Sequence, residues 1–330
     1  MLRLISFLQI MFISLIVPAY NVSQYIARCL RTLVNQDIDK SKYEIIVIND
    51  GSTDNTLDII NDLLKEFDGL NVRIIDQNNG GLSCARNNGF DLAQGDYVWF
   101  IDSDDYLQEN CLKDISMTLL NNPNIDVLLF DMDYIYDDKP TAYNPRRLLS
   151  GHSMLGSELF MTDYRYPYSG VQFSIYKRQY LIDHNLKFKQ GIFFEDILYT
   201  TLLLASNPKC IYINEVYYHY YIRKGSITNS TSSIKKCKDI LDISDELYNL
   251  HESNNLYNKT VLMDQISRIL STVYRYHMKG LDISSRLKVM TLINDRNYWI
   301  KSVLATKKYK YIPYILLNLA FKPFSFLKNL

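Results

Sequence analysis

Between residues 13 and 130 the apolar positions of this chain switch repeatedly between unbroken runs and helical spacing. Ile13 to Val17 is a nearly continuous apolar run, the mark of a strand covered on both faces. From Val22 to Val34, Tyr25, Ile26, Leu30 and Leu33 recur at helical spacing. Tyr43 to Ile48 predicts a second strand. Leu57, Ile60, Leu63, Leu64 and Phe67 then predict an amphipathic helix, begun by the Ser52-Thr53-Asp54 cap. Val72 to Ile75 is a third strand, followed by a helix through Ala85, Asn88 and Leu92. Tyr97 to Ile101, after the Gly95-Asp96 turn, is a fourth, and a helix from about Glu109 to Leu120 leads to a fifth, Val127 to Phe130. Strands alternating with helices in this way imply right-handed crossovers and an α/β fold built on a doubly wound, mainly parallel sheet. Asp133 to Lys189 reads as irregular and rich in Tyr, Arg and Pro, densest at Tyr164-Arg165-Tyr166-Pro167-Tyr168. A helix follows Glu195-Asp196 through Leu198, Thr201, Leu202 and Ala205. Cys237 to Leu250, Val261 to His277 and Ile283 to Ile293 read as helices packed beside the sheet.

A chain of 330 residues with 47% hydrophobic content can bury a sizeable core. Its 36 basic and 36 acidic residues cancel, so no global field recruits nucleic acid. Their distribution is uneven: from Arg296 onward there are seven basic residues and no acid, leaving 29 basic against 36 acidic before it. Cys29, Cys84, Cys111, Cys210 and Cys237 are odd in number and far apart, which argues against a disulfide scaffold or zinc ribbon and fits a reducing compartment. Met1 to Val17 has the outline of a signal peptide, but cleavage there would remove the first strand. The reading is therefore an N-terminal extension over 1–10, with Met11 as an alternative start, a nucleotide-binding half over 11–132, an acceptor half over 133–230 and a helical region over 231–330.

In doubly wound sheets ligands bind beyond the carboxyl ends of the strands. Every polar cluster of the first half falls there: Tyr20-Asn21, Asp50, the Asn79-Gly80-Gly81 loop, and Asp102 to Asp105. Along an extended segment Asp102 and Asp104 point to one side and Ser103 to the other. Two acids on one side of a buried strand's end can hold a hard divalent cation. They can equally cap the next helix. There is no G-x-G-x-x-G after the first strand and no G-x-x-x-x-G-K-S/T anywhere, so dinucleotide oxidoreductases and P-loop NTPases lose their phosphate cradles.

Val17-Pro18-Ala19-Tyr20-Asn21, Asn49-Asp50-Gly51-Ser52-Thr53-Asp54, Gly80-Gly81-Leu82-Ser83-x-Ala85-Arg86-Asn87 and Asp102-Ser103-Asp104-Asp105 resemble, in order, the four landmarks of the family 2 inverting glycosyltransferases. The resemblance covers about residues 11 to 132. It implies a GT-A fold, a nucleotide-diphosphate sugar donor, and Mg2+ or Mn2+ as cofactor. Pro18, Tyr20 and Asp50 would then hold the base, with Asn21 beside them and the Asp50 carboxylate accepting the N3 proton of uracil, which cytosine lacks. Gly80, Gly81 and Arg86 would approach the ribose and diphosphate, glycine permitting close backbone approach. Asp102 and Ser103 would face the donor, Asp104 the metal, with Asp102 also near it. The family often has Asp where this chain has Asn49.

The same resemblance assigns an acidic pair to the acceptor side, with the later carboxylate as base. Here it is Glu195 and Asp196, Asp196 being favoured and Glu195 its substitute. Acids are also favoured at any helix N-terminus. In the segment Tyr217 to Thr228, Arg223 or Lys224 would close over the diphosphate and His219 join the metal. The implied activity is transfer of a sugar, with inversion, from a nucleotide-diphosphate donor that the uracil reading makes UDP-linked to a hydroxyl of a glycan or lipid-linked acceptor in surface-polysaccharide assembly. The rival classes are a metal-dependent nucleotidyltransferase or phosphotransferase and a binding module without turnover. The apolar stretch Tyr311 to Phe321 is half the length that spans a bilayer; with its flanking lysines, region 296–330 reads either as a surface contact with an anionic membrane or as a helix docked on the core. The expected location is the cytoplasm, peripheral to the inner face of the cell membrane.

Overall fold

A computed structural model describes residues 13–66, 69–137, 139–143, 146, 148–162, 170–223, 232–253 and 255–316. The predicted alternation is present. Strands β1 (Ile13–Ala19), β2 (Tyr43–Asp50), β3 (Val72–Gln77) and β4 (Tyr97–Phe100) lie parallel in the spatial order β3-β2-β1-β4. Between them run α1 (Ile26–Val34), α2 (Thr56–Lys65) and α3 (Leu82–Leu92). After β4 come β5 (Tyr106–Leu107), α4 (Cys111–Asn121), β6 (Val127–Ile135), β7 (Ala142–Tyr143), β8 (Ser153–Leu155) and α5 (Gly156–Thr162). β9 (Ser174–Lys177), α6 (Arg178–Asp183), α7 (Glu195–Ala205) and β10 (Lys209–Tyr221) complete the sheet half. α8 (Ile234–Glu252), α9 (Lys259–Thr272), α10 (Ile283–Asn294) and α11 (Trp299–Ala305) form the helical region.

The ten strands among the described residues join one sheet, whose order past β4 is β9-β6-β10-β5. The stretch read as irregular thus supplies a central strand: β9 is antiparallel to both β4 and β6. At four residues it is too short to show a periodicity. β6 and β10 are again parallel, with register shifts between Tyr212 and Tyr218. The expected mainly parallel α/β sheet with helices at the C-terminus is therefore the observed fold.

Side-chain alternation divides the core into two layers. Ile16, Val98, Phe100, Val127 and Leu129 face one layer with α3, α5, α6, α7 and the helical region. Ile13, Leu15, Val17, Trp99, Ile101, Leu128 and Phe130 face the other with α1, α2 and α4. Both faces are covered, which is why these strands read as runs rather than alternations. Trp99 anchors the second layer, its ring 5.0 Å from that of Phe130 and its indole N–H donating to the Gln172 carbonyl at 2.7 Å.

Helix α3 approaches the sheet so closely that a Cβ on Gly89 would lie 2.4 Å from Ile16 Cγ2. Gly89→Ala is therefore expected to destabilise the protein by about 1–3 kcal/mol of overpacking, offset by roughly 1 kcal/mol of helix propensity. A lower denaturation midpoint checks this; a raised midpoint contradicts the packing.

The helical region is tied to itself by ion pairs, one of them on a buried acid. Arg296 bonds Asp245 at 2.6 Å and Asp242 at 3.0 Å, and Lys308 reaches the fully buried Asp264 at 2.7 Å. Tyr311 and Ile315 are buried. One of the lysines expected to face lipid, Lys308, is thus turned onto an acid of the same region. Lys322, Lys328 and the end of the apolar stretch lie outside the described residues, as do residues 1–10, Lys224 and Tyr164 to Tyr168. Among the described residues no helix is long and apolar enough to cross a membrane. Headgroup contact finds no support in these positions.

Candidate active site

The loops at the carboxyl ends of β1 to β4 are sewn to one another. After β1, Asn21 takes a left-handed backbone (φ +50°), and its side-chain oxygen accepts the Thr53 amide at 2.8 Å while its own amide donates to Ser52 Oγ at 3.1 Å. Val22 N–H donates to Thr56 Oγ1 at 2.8 Å. Pro18 is buried within β1, whereas Tyr20, just past the strand, is 49% exposed and presents its ring at the rim.

Asp50 ends β2 as a buried carboxylate, which requires partners. Gln77 Nε2 and Gly80 N–H donate to its Oδ1 at 2.7 and 2.8 Å, and Gly81 N–H to its Oδ2 at 2.8 Å. Asp50 thereby fixes the glycine loop. By these bonds Oδ2 keeps a lone pair, so the carboxylate can accept a further donor while holding the loop. Gly81 has φ +84° and caps α3, and a Cβ on Gly80 would lie 2.7 Å from Cys84 Sγ. Both glycines are required by geometry at this turn.

Beyond β4 burial alternates as the sequence predicts. Ser103 and Asp105 are buried, and Asp102 and Asp104 half-buried. Asp105 is a structural acid: Tyr218 Oη donates to it at 2.6 Å and the Tyr221 amide at 2.8 Å. Tyr218 Oη also accepts the Asp102 amide at 3.1 Å. Asp104 Oδ2 meets Arg223 Nε at 2.6 Å, and its carbonyl accepts from Arg28 Nη2 at 2.8 Å. Burial first, and the neighbouring Asp102 charge second, push the Asp104 carboxyl above the usual range. Burial and the same crowding raise Asp105 further.

These crowded carboxyls fit a divalent cation. Asp105 is occupied, and Asp102 Oδ1 is held by Arg86 and Asp104 Oδ2 by Arg223, so each of the two would have to offer its other oxygen to such an ion, with phosphate oxygens and water completing the shell. Among the described residues no three His, Cys, Asp or Glu side chains form a metal cluster, so Asp102, Asp104 and His219 do not make a protein-only cage. His219 is built into the sheet instead: Nδ1 pairs with Asp133 Oδ1 at 2.6 Å, Nε2 with Gln108 Oε1 at 3.0 Å, and the ring stacks on Tyr106.

The acidic pair opens α7, as expected, and one residue joins it to the strand-end rim. Arg86 of α3, its side chain only 4% exposed, bonds Asp102 Oδ1 at 2.7 Å and Glu195 Oε1 at 3.0 Å. Burial works against the guanidinium charge, yet Asp102 and Glu195 hold its pKa above the ordinary value. Glu195 is thereby occupied. Asp196 accepts the Ile197 amide at 2.9 Å, and burial, reinforced by the Glu195 charge, pushes its carboxyl up to about 7. A carboxyl titrating near neutrality is suited to take a proton.

Two contributors were not singled out from the sequence. Arg28 lies between the rings of Tyr106 and Tyr221, 4.7 and 4.2 Å from their centroids, while gripping the Asp104 carbonyl. Tyr218 is the other. Arg28 sits on a helix otherwise read for its apolar face, so a long polar residue there carried no distinguishing mark.

Residues 14–185 match the family model for glycosyl transferase family 2. The chain belongs to this family. Among its curated relatives, the uncharacterized glycosyltransferase YibD of Escherichia coli is 29% identical over 222 residues, 66% of this chain and 63% of that protein. The poly(ribitol-phosphate) β-N-acetylglucosaminyltransferase TarS of Staphylococcus aureus is 31% identical over 220 residues, 66% of this chain but 37% of TarS. The matched part thus spans less than two thirds of either relative. The crystal structure of S. aureus TarS residues 1–349 in complex with UDP-GlcNAc superposes with a TM-score of 0.70 at 23% identity, covering 89% of this chain and 82% of that one. At that identity the likeness establishes the fold, the GT-A arrangement of this family 2 member.

Proposed function

We propose that this family 2 chain transfers a sugar from a nucleotide-diphosphate donor, UDP-linked, to a hydroxyl of a glycan or lipid-linked acceptor in surface-polysaccharide assembly. The observation that carries the reading is Arg86, which pairs with Asp102 of the strand-end rim and with Glu195 of the acidic pair and so supports a single site with donor and base sides. The solved likeness to a UDP-GlcNAc complex and the poly(ribitol-phosphate) relatives favour the donor and acceptor classes. In this reading Tyr20 stacks on the base, Asp50 accepts its N3 proton while fixing the glycine loop, and Gly80 and Gly81 leave room for the ribose and diphosphate. Asp102 and Asp104 would hold Mg2+ or Mn2+, which supplies positive charge to the departing diphosphate. Arg223 lies beside Asp104 to neutralise the same charge. Asp196 takes the proton of the attacking hydroxyl from the face opposite the leaving group. A single displacement of that kind inverts the anomeric centre.

A panel of UDP-sugars with Mn2+ or Mg2+ tests the proposal. Expected is metal-dependent release of UDP from one or a few donors and a product of inverted configuration. Release of sugar 1-phosphate or of UMP would instead place the chain with nucleotidyl- or phosphotransferases, and binding without release with non-catalytic modules.

A further inference from the structure

The acidic pair follows a loop with one residue, Phe194, in a conformation it does not favour. Gly191 has φ +76° and Phe194, a bulky residue, has φ +66° immediately before Glu195. A left-handed conformation at such a residue costs roughly 1–2 kcal/mol and persists only where surrounding contacts impose it. Here they come from the helical region. Asp239 of α8, a buried carboxylate, accepts the Phe193 amide on Oδ2 at 2.9 Å. Lys235, one turn earlier on the same helix, donates to that oxygen at 2.5 Å and to the Gly191 carbonyl at 3.3 Å. The Phe194 ring packs against His277, 4.7 Å between centroids, in the turn that follows α9.

We propose that Asp239 is a positioning residue for sugar transfer: by holding the Phe193 amide it fixes the strained turn that aims Asp196 at the acceptor hydroxyl. The proposal rests on the reading of Asp196 as the base. Only two residues separate Phe193 and Asp196, so a shift of the turn is carried directly into the carboxylate. Lys235 is largely exposed and contributes less, since solvent screens its charge. The part-buried, charge-assisted bond that the Phe193 amide donates to Asp239 is the stronger contact. The helical region is therefore part of the transfer machinery, reaching the acceptor side without touching substrate.

The full chain is assayed for UDP release as wild type, Asp239→Ala and Asp239→Asn, with UDP affinity measured by calorimetry and amide exchange followed across residues 190–196. Asp239→Ala should lower kcat by at least about 10-fold, within the range that small misplacement costs. UDP affinity should be unchanged, and exchange at the Phe193 amide faster. Asp239→Asn keeps an acceptor oxygen and should restore most of kcat. Full kcat in Asp239→Ala overturns the proposal, as does a loss that Asn fails to rescue and that UDP affinity shares. If wild type releases UDP from no donor, the proposed function fails on its own; exchange then decides, and unchanged protection of Phe193 in Asp239→Ala overturns the positioning role. Should Asp239→Ala not fold, Phe194→Ala reads the same grip from its other side, and retained kcat there overturns it.

Discussion

Asp196→Asn lowers the turnover of the UDP-sugar donor by about 10²- to 10⁴-fold, the usual contribution of a positioned general base. UDP affinity is expected to stay near the wild-type value, because an interaction made only as the proton leaves is absent from the ground state. The sign of the pH dependence follows from the same carboxyl. A base acts deprotonated, so wild-type kcat/KM should rise with pH through about 7, the value to which burial and Glu195 push Asp196. Each unit below that costs about ten-fold, since the ionised fraction falls by that factor. UDP release and calorimetry on the purified variant check both halves. Wild-type turnover in Asp196→Asn would transfer the role to Glu195, whose carboxylate is otherwise committed to Arg86.

Asp104→Ala should reduce UDP release by about 10²- to 10³-fold, comparable with removing one group that stabilises charge developing on a leaving group. The remaining activity should no longer saturate with Mn2+ at the wild-type concentration. The variant also strips Arg223 of its bond to the Asp104 carboxylate, so Arg223→Gln is the control that separates loss of the carboxylate from loss of the pair. A rate that survives both Asp104→Ala and excess chelator would remove the cation from the proposal.

Strands β1 to β4 and their rim could be read from the chain because both sheet faces are covered and polar clusters interrupt the runs at each carboxyl end. The acidic pair was legible as the start of an apolar helix, but only the family resemblance singled it out. What escaped lay in contacts between distant segments. β9 is four residues long and takes its place only through pairing with β4 and β6. Asp50 carries loop amides that local sequence does not announce, and Arg28 reaches Asp104 across 76 positions. His219 looked like a ligand by residue type, but Asp133 and Gln108, each far away in sequence, engage both its nitrogens.

The insertion of β9 between β4 and β6 bears on how the chain comes off the ribosome. The first four strands are complete once residue 100 has emerged, yet the open side of β4 finds its neighbour only when Ser174 to Lys177 follow, some eighty positions later. Until then a nascent chain carries a bare strand margin, the kind of surface on which unfinished molecules pair with each other. Closing so distant a contact is also slow. Production of this protein should therefore depend more on the pace of synthesis and on chaperone cover over that interval than its well-filled interior would suggest.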